Sequence, residues 1–215
     1  MKHTIKELKQ LKDSLSQMWY LVLLQLEKTG QAFMDSNSEL AREVLRKEKR
    51  VDAFELQVDS NCENFIALYA PVAIDLRLVL SIMRIGISLE RIGDFCESIC
   101  EFVLENGAED KELLERLKFN SLFDETSEML SDCLKCFKNE DISIAGKVIL
   151  KDDLIDEIYH NSLNLLKENI TPLENSLNLA MMLRKLERIG DHCSNIMEEI
   201  VFYVDAKVLK HNEIL

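Results

Sequence analysis

The chain has 215 residues, 47% of them hydrophobic and 30% charged, with a formal net charge of −13. Only 6 glycines and 2 prolines are present, too few for the turns of an all-β sandwich or barrel and too scattered for a Gly-rich phosphate loop. So acidic a surface repels phosphate backbones and anionic lipid, which disfavours direct binding to nucleic acid or membrane and favours cations or basic partner surfaces.

Apolar residues recur at helical spacing from the start (Ile5, Leu8, Leu11, Leu15, Met18), and the spacing predicts a first helix over about residues 4–33. Asp35-Ser36-Asn37-Ser38 offers caps, with Ser36 and Glu39 spaced as a capping box for the second helix. That helix is expected to end near Tyr69, because Pro71 disfavours helical geometry just before it and suits the first turn of the next. The third reaches Glu105 and closes on Asn106-Gly107. The same succession follows again: a helix over about 110–137, a break at Asn139-Glu140-Asp141, a helix to about Glu168, a break at Thr171-Pro172, and a last helix to about Lys207. Both prolines fall at the second-to-third junction of a triplet.

The repeat is explicit in the third and sixth helices. Leu89-Glu90-Arg91-Ile92-Gly93-Asp94 returns unchanged 97 residues later as Leu186-Glu187-Arg188-Ile189-Gly190-Asp191, and agreement continues at Cys96/Cys193, Ile99/Ile196 and Glu101/Glu198. The expected fold is all-α, a tandem repeat of two antiparallel three-helix bundles built from six long helices, spanning residues 1–107 and 108–215.

Within the repeated segment, Leu89, Ile92, Cys96 and Ile99 form a core stripe, while Glu90 and Asp94 stand one turn apart on a second face, as do Glu187 and Asp191. Like charges at that spacing destabilise a helix by roughly 0.2–0.5 kcal/mol. The middle helices carry matching pairs, Glu48/Asp52 and Asp152/Asp156, ahead of their proline. Antiparallel packing would bring four carboxylates together in each bundle, and such a group stays ionised only around a cation. Oxygen-only ligands suit Mg²⁺, Mn²⁺, Ca²⁺ or iron better than a structural zinc site. Chance alone supplies about seven acid pairs at this spacing in so acidic a chain, so a solvated acidic face remains the alternative.

Other residues have plainer readings. Gly93 and Gly190 each cost about 1 kcal/mol in a helix interior, which implies either room for ions or a partner, or close helix–helix approach. Arg91 and Arg188 read as salt-bridge partners, with phosphate contact as the alternative. His192 points about 100° away from Asp191 around the helix and is expected to face solvent, with a nitrogen ligand as the alternative. Cys133-x-x-Cys136 has no second pair, and Cys96, Cys100 and Cys193 read as small core residues. Glu157 and His160 make a single Glu-x-x-His where di-iron oxidases use two. No catalytic triad or nucleotide loop is present. The longest apolar stretches, Leu21 to Leu24 and Ile200 to Val204, are too short to cross a bilayer, and the charged N-terminus has no signal core. Six cysteines then read as reduced thiols, and the expected compartment is the cytoplasm.

The doubled LERIGD segment, the E/D-x-x-x-D pairs (Glu48/Asp52, Glu90/Asp94, Asp152/Asp156, Glu187/Asp191) and Ala70-Pro71-Val72-Ala73-Ile74-Asp75-Leu76-Arg77 resemble the PhoU family across essentially the whole chain. The resemblance implies two tandem three-helix bundles whose carboxylate motifs bind metal, either iron or magnesium, manganese or zinc, at those eight positions. It implies a cytoplasmic, non-enzymatic regulator of phosphate uptake and phosphate-starvation signalling. The implied partners are the ATPase subunit of the phosphate ABC transporter and a phosphate-sensing histidine kinase. A homodimer, contact with the membrane only through partners, and no nucleic-acid binding follow from the same likeness. The alternatives are an accessory protein of a phosphate symporter, or a di-iron carboxylate enzyme or metal store. Two departures set the halves apart: Asp75-Leu76-Arg77 has no counterpart after Pro172, and Phe95 stands where the second half has the more family-like His192.

Overall fold

A computed structural model describes residues 2–107, 109–168 and 170–206. Its helices are α1 (Lys2–Asp35), α2 (Ser38–Tyr69), α3 (Ala73–Asn106), α4 (Lys111–Arg116), α5 (Phe119–Asn139), α6 (Ala145–Lys167) and α7 (Leu173–Asp205), with no strand among the described residues. Helices α1, α2 and α3 pack pairwise into one bundle, and α5, α6 and α7 into a second. The bundles are joined by α3 against α7 and by α1 against α5. No helix among the described residues is long and apolar enough to cross a membrane.

The apolar stripes read at helical spacing form the core, except that Ile5 at the start of α1 is exposed. Leu15, Met18, Trp19, Val22 and Leu26 of α1 are fully buried, as are Leu89, Ile92, Cys96 and Ile99 of α3 and their repeats in α7. The α1–α5 seam is aromatic: Trp19 donates its indole N–H to the Leu130 carbonyl at 3.1 Å, and the Phe33 ring lies 4.8 Å from that of Phe119. Gly30 lets the two helices approach, since a Cβ there would sit 3.1 Å from the Phe123 ring.

Helices α3 and α7 run antiparallel. Arg84 near the start of α3 pairs with Glu199 near the end of α7 at 2.9 Å, while Lys185 and Ser98 hydrogen-bond towards the opposite ends. Midway, Phe95 and His192 face each other with ring centroids 5.9 Å apart. These two residues occupy equivalent repeat positions, so the halves meet as they would about a twofold axis.

Three local expectations are corrected. The predicted helix over 110–137 is two helices, α4 and α5, broken at Leu117–Lys118, where Lys118 adopts φ 55°. The α5 stripe of Phe119, Leu122, Phe123 and Thr126, extended backwards at helical phase, would bury Glu115 and Arg116. The break instead turns Leu113, Leu114 and Leu117 inward, and the buried Ser162 hydroxyl donates to the Leu117 carbonyl at 2.8 Å. Ser36 does not form the capping box: it takes φ 52° at the end of α1, and the Asn37 side chain caps α2 by accepting from the Glu39 and Leu40 amides. The prolines lie just outside the helices they were expected to enter, Pro71 two residues before α3 and Pro172 at the N-cap of α7. Gly107, with φ 75°, closes α3 as expected, its N–H reaching the Val103 carbonyl. Lys207, the expected end of the last helix, lies outside the described residues.

Candidate metal centre

Glu48 and Asp52 lie one turn apart on α2, and the antiparallel α3 sets Glu90 and Asp94 beside them. Ligand oxygens of Glu48, Asp52 and Asp94 lie within 4.8 Å of one another, the one such set among the described residues. Oxygens that close fit around a single ion whose oxygen contacts are about 2.0–2.6 Å long. Glu90 does not join this set, yet it stands close enough for the charges of Asp94 and Asp52 to act on it.

Glu48 is the unusual member, being only 2% exposed. Its seat exists because residue 93 is glycine: a Cβ there would lie 2.8 Å from Glu48 Oε1 and 3.3 Å from Val51. The room left by Gly93 is thus filled by a carboxylate from the neighbouring helix. Gln25 of α1 donates to Glu48 Oε2 at 2.7 Å, while the buried Oε1 has no hydrogen-bond partner. Burial pushes the Glu48 carboxyl up to about 7, the Gln25 bond opposes this, and the charges of Asp52, Glu97 and Asp94 reinforce it. An anionic oxygen buried without a partner costs free energy that a cation would offset, so these residues fit a metal ion.

The second half repeats the architecture with different partners. Asp152 Oδ1 stands where a Cβ on Gly190 would meet it at 3.0 Å, and Ser194 donates to Asp152 Oδ2 at 2.8 Å. Glu187, 8% exposed, is ion-paired with Arg184, and Asp191 pairs with Arg188 at 2.9 Å. Burial, then the charge of Asp191, push the Glu187 carboxyl up to about 7 against the pull of Arg184, with Asp156 adding a smaller upward push. Asp156 itself is exposed. The oxygens of this quartet do not converge as those of Glu48, Asp52 and Asp94 do.

The arginines form salt bridges here: Arg91 reaches Asp94 at 3.1 Å and Glu90 at 3.6 Å, and Arg188 holds Asp191. His192 is not a solvent-facing residue. It is half-buried against Phe95 between α3 and α7, because the face of α7 turned away from Asp191 meets α3 rather than water. Burial and the nearby Arg188 and Arg91 charges pull its imidazole down, against the opposing Asp191. All six cysteines are buried and free. Glu157 and His160 are exposed, so this Glu-x-x-His does not project into the bundle as a di-iron motif would. Gln25, Glu55, Glu97, Arg184 and Ser194 were not anticipated. Glu97 could have been found, since it continues the 90, 94, 97 spacing along one face of α3; Gln25 is marked only by being polar within the buried stripe of α1.

Two tandem three-helix bundles, each with a buried carboxylate seated over a glycine of the next helix, define a helical protein built for anionic clusters at its interhelical grooves. A model of the PhoU domain matches residues 15–103 and 119–200, and the chain belongs to the PhoU family. It is 33% identical over 213 residues to the phosphate-specific transport system accessory protein PhoU homolog of Aquifex aeolicus, covering 97% of this chain and 96% of that one. It is 32% identical over 209 residues to the accessory protein PhoU of Escherichia coli, covering 95% and 86%. The crystal structure of the phosphate transport system regulatory protein PhoU from Streptococcus pneumoniae superposes with a TM-score of 0.85 at 26% identity, covering 96% of this chain and 99% of that chain. PhoU from Pseudomonas aeruginosa gives 0.84 at 29% identity, covering 94% and 99%.

Proposed function

We propose that this chain is a cytoplasmic, non-enzymatic regulator of phosphate uptake and phosphate-starvation signalling that acts as a metal-loaded adaptor. Its proposed partners are the ATPase subunit of the phosphate ABC transporter and a phosphate-sensing histidine kinase. The transport role is supported by family membership and by relatives named as phosphate-transport accessory proteins over nearly the whole chain. The metal role rests on one observation above the others: Glu48 is buried, carries an oxygen without a hydrogen-bond partner, and converges with Asp52 and Asp94. Glu48, Asp52, Glu90 and Asp94 would hold ions in the first half, and Asp152, Asp156, Glu187 and Asp191 in the second. A bound ion would add positive charge to these acidic clusters and would let the acidic surface dock on basic or phosphate-bearing partner surfaces.

Elemental analysis of protein purified without chelator tests the metal role, with the Asp94→Asn/Asp191→Asn double variant alongside. Stoichiometric metal in the wild type and little in the variant is expected; equal amounts in both would refute these ligands. Pulldown with ATPase and kinase fragments in the presence of metal tests the adaptor role, and capture of neither would refute it.

A further inference from the structure

We infer that the two carboxylate sites are unequal, the first half holding the tight cation site and the second being neutralised internally by its own arginine, Arg184. The inference rests on reading the carboxylates as metal ligands and concerns what distinguishes the halves.

Two correspondences align the sites. The identical segments relate α3 to α7 by 97 residues. Glu48 with Val51 over Gly93, and Asp152 with Ile155 over Gly190, relate α2 to α6 by 104. With the four ligand positions of each half superimposed in this way, three residues that act on the carboxylates have different counterparts: Glu55 becomes Tyr159, Glu97 becomes Ser194, and Ile87 becomes Arg184.

These three changes move charge in the same direction. Glu55 and Glu97 lie close enough to act on the first quartet, raising Glu90 and Glu48 respectively. Glu97 is in turn raised by burial and by Glu101, Asp94 and Asp52. At the equivalent positions in the second half, the Ser194 hydroxyl satisfies an oxygen of Asp152, and the Tyr159 ring supports the Arg184 guanidinium 5.7 Å from its centroid. Arg184 in turn pairs with the largely buried Glu187. The first cluster therefore gathers six acids around one arginine, the exposed Arg91. The second gathers four around two arginines. Glu48 Oε1 is buried in the seat over Gly93 and bonded to nothing; Glu187 also keeps one buried oxygen, Oε2, without a hydrogen-bond partner, but its Oε1 already holds the Arg184 guanidinium. A cation entering the second site competes with Arg184 for the largely buried Glu187; one entering the first competes with Arg91 only for the partly exposed Asp94 and Glu90 and meets more acids.

Titration of the full chain with Mn²⁺ alone, after chelator treatment, is expected to give two classes of site differing by about tenfold or more, the scale of a few charge changes at short range. Asp94→Asn should remove the tight class and Asp191→Asn the weak one. Glu97→Ser, which copies the second half and touches none of the three converging ligands, should loosen the tight class about fivefold or more. Arg184→Ile, which copies the first half, should tighten the weak class by a similar factor. Two classes of equal affinity, loss of the tight class in Asp191→Asn, or no response to both Glu97→Ser and Arg184→Ile would overturn the inference while leaving metal binding intact. No Mn²⁺ uptake by either half would overturn the metal reading and this inference with it. Far-ultraviolet circular dichroism of each variant separates loss of site from loss of fold.

Discussion

Replacing Glu48 by glutamine should stabilise the metal-free protein, although it alters the most deeply placed residue of the candidate site. Burial holds this carboxyl at about 7 rather than an ordinary 4.5. A shift of that size corresponds to roughly 3 kcal/mol against the ionised form; allowing for the partly wet rim formed by Asp52 and Asp94 leaves about 2 kcal/mol. Because the folded-state value lies above the unfolded one, the folded protein keeps the extra proton. Its stability is highest below about pH 4.5 and falls as pH rises through about 7. Glutamine has the same shape, can still accept from Gln25, and carries no charge to desolvate. In chelator at pH 8, Glu48→Gln should therefore raise stability by about 2 kcal/mol, or about 4–8 °C in Tm for a chain of this size. At pH 5 most of that gain should vanish, because the wild-type carboxyl is then protonated when folded. Saturating Mn²⁺ should reverse the order, since only the wild type gains binding free energy at this site. Urea denaturation followed by the fluorescence of Trp19, the sole tryptophan, reads all three conditions. A variant less stable than wild type at pH 8 in chelator, or equally stabilised at pH 5 and pH 8, would refute the account of Glu48 as a costly buried acid.

Other expectations follow from the same geometry. Gly93→Ala would ordinarily gain about 1 kcal/mol in a helix interior. Here the new Cβ would meet Glu48 Oε1 at 2.8 Å, so calorimetry should show no gain and Mn²⁺ affinity should fall about tenfold as the carboxylate leaves its seat. His192→Phe, which copies Phe95, removes an imidazole whose Nδ1 has no hydrogen-bond partner. It should stabilise the protein by about 1 kcal/mol at pH 7. That difference should widen towards pH 5: burial lowers the His192 pKa, so the wild type alone loses stability as its unfolded imidazole gains a proton below about 6.5. Thermal melts at the two pH values check both sign and trend. Ser162→Ala takes away the hydroxyl that satisfies the Leu117 carbonyl at the α4–α5 break and should cost about 1 kcal/mol in urea melts, with no change in Mn²⁺ uptake.

Much of this architecture can be read from spacing alone, and the parts that cannot share a physical cause. Helix ends at Tyr69, Asn106 and Asn139 follow from local backbone chemistry at Pro71, Gly107 and the 139–141 break. The carboxylate pairs follow from the 3.6-residue period, and the LERIGD identity ties α3 to α7 before any coordinates. The α4–α5 break is hidden because Leu113, Leu114 and Leu117 suit a continuing helix when taken alone. Only their phase against Phe119 and Leu122 shows the slip, and that phase matters only once α6 supplies Ser162. Ser36 and Asn37 are both capable caps, and the choice falls to whichever backbone takes positive φ at the end of α1. The position of His192 is not legible from helix phase, because the face of α7 away from Asp191 packs on other helices: α7 lies against α5, α6 and α3 and has little solvent-facing surface at that point. Gln25 reaches the site from a position that no spacing rule links to Glu48, whereas Ser194 shares with Glu97 the third place of the 187, 191, 194 spacing.

The divergence between the halves follows from what the fold demands and what it leaves free. Both repeats need a carboxylate-bearing helix pressed against a glycine, because Glu48 and Asp152 fill the grooves that Gly93 and Gly190 open. Buried acids at these sites do not come without cost, as the upward displacement of Glu48 in the first half and Glu187 in the second to about 7 attests. A helical bundle seeking only stability would fill those grooves with alanine and leucine. The second half lowers the cost with Arg184 and the Ser194 hydroxyl. The first adds Glu55 and Glu97 to a cluster already in deficit, as the proposed cation site would require. The Glu97→Ser and Arg184→Ile exchanges decide between the two cases, because each swaps one half's solution into the other without disturbing the glycine seats that both halves require.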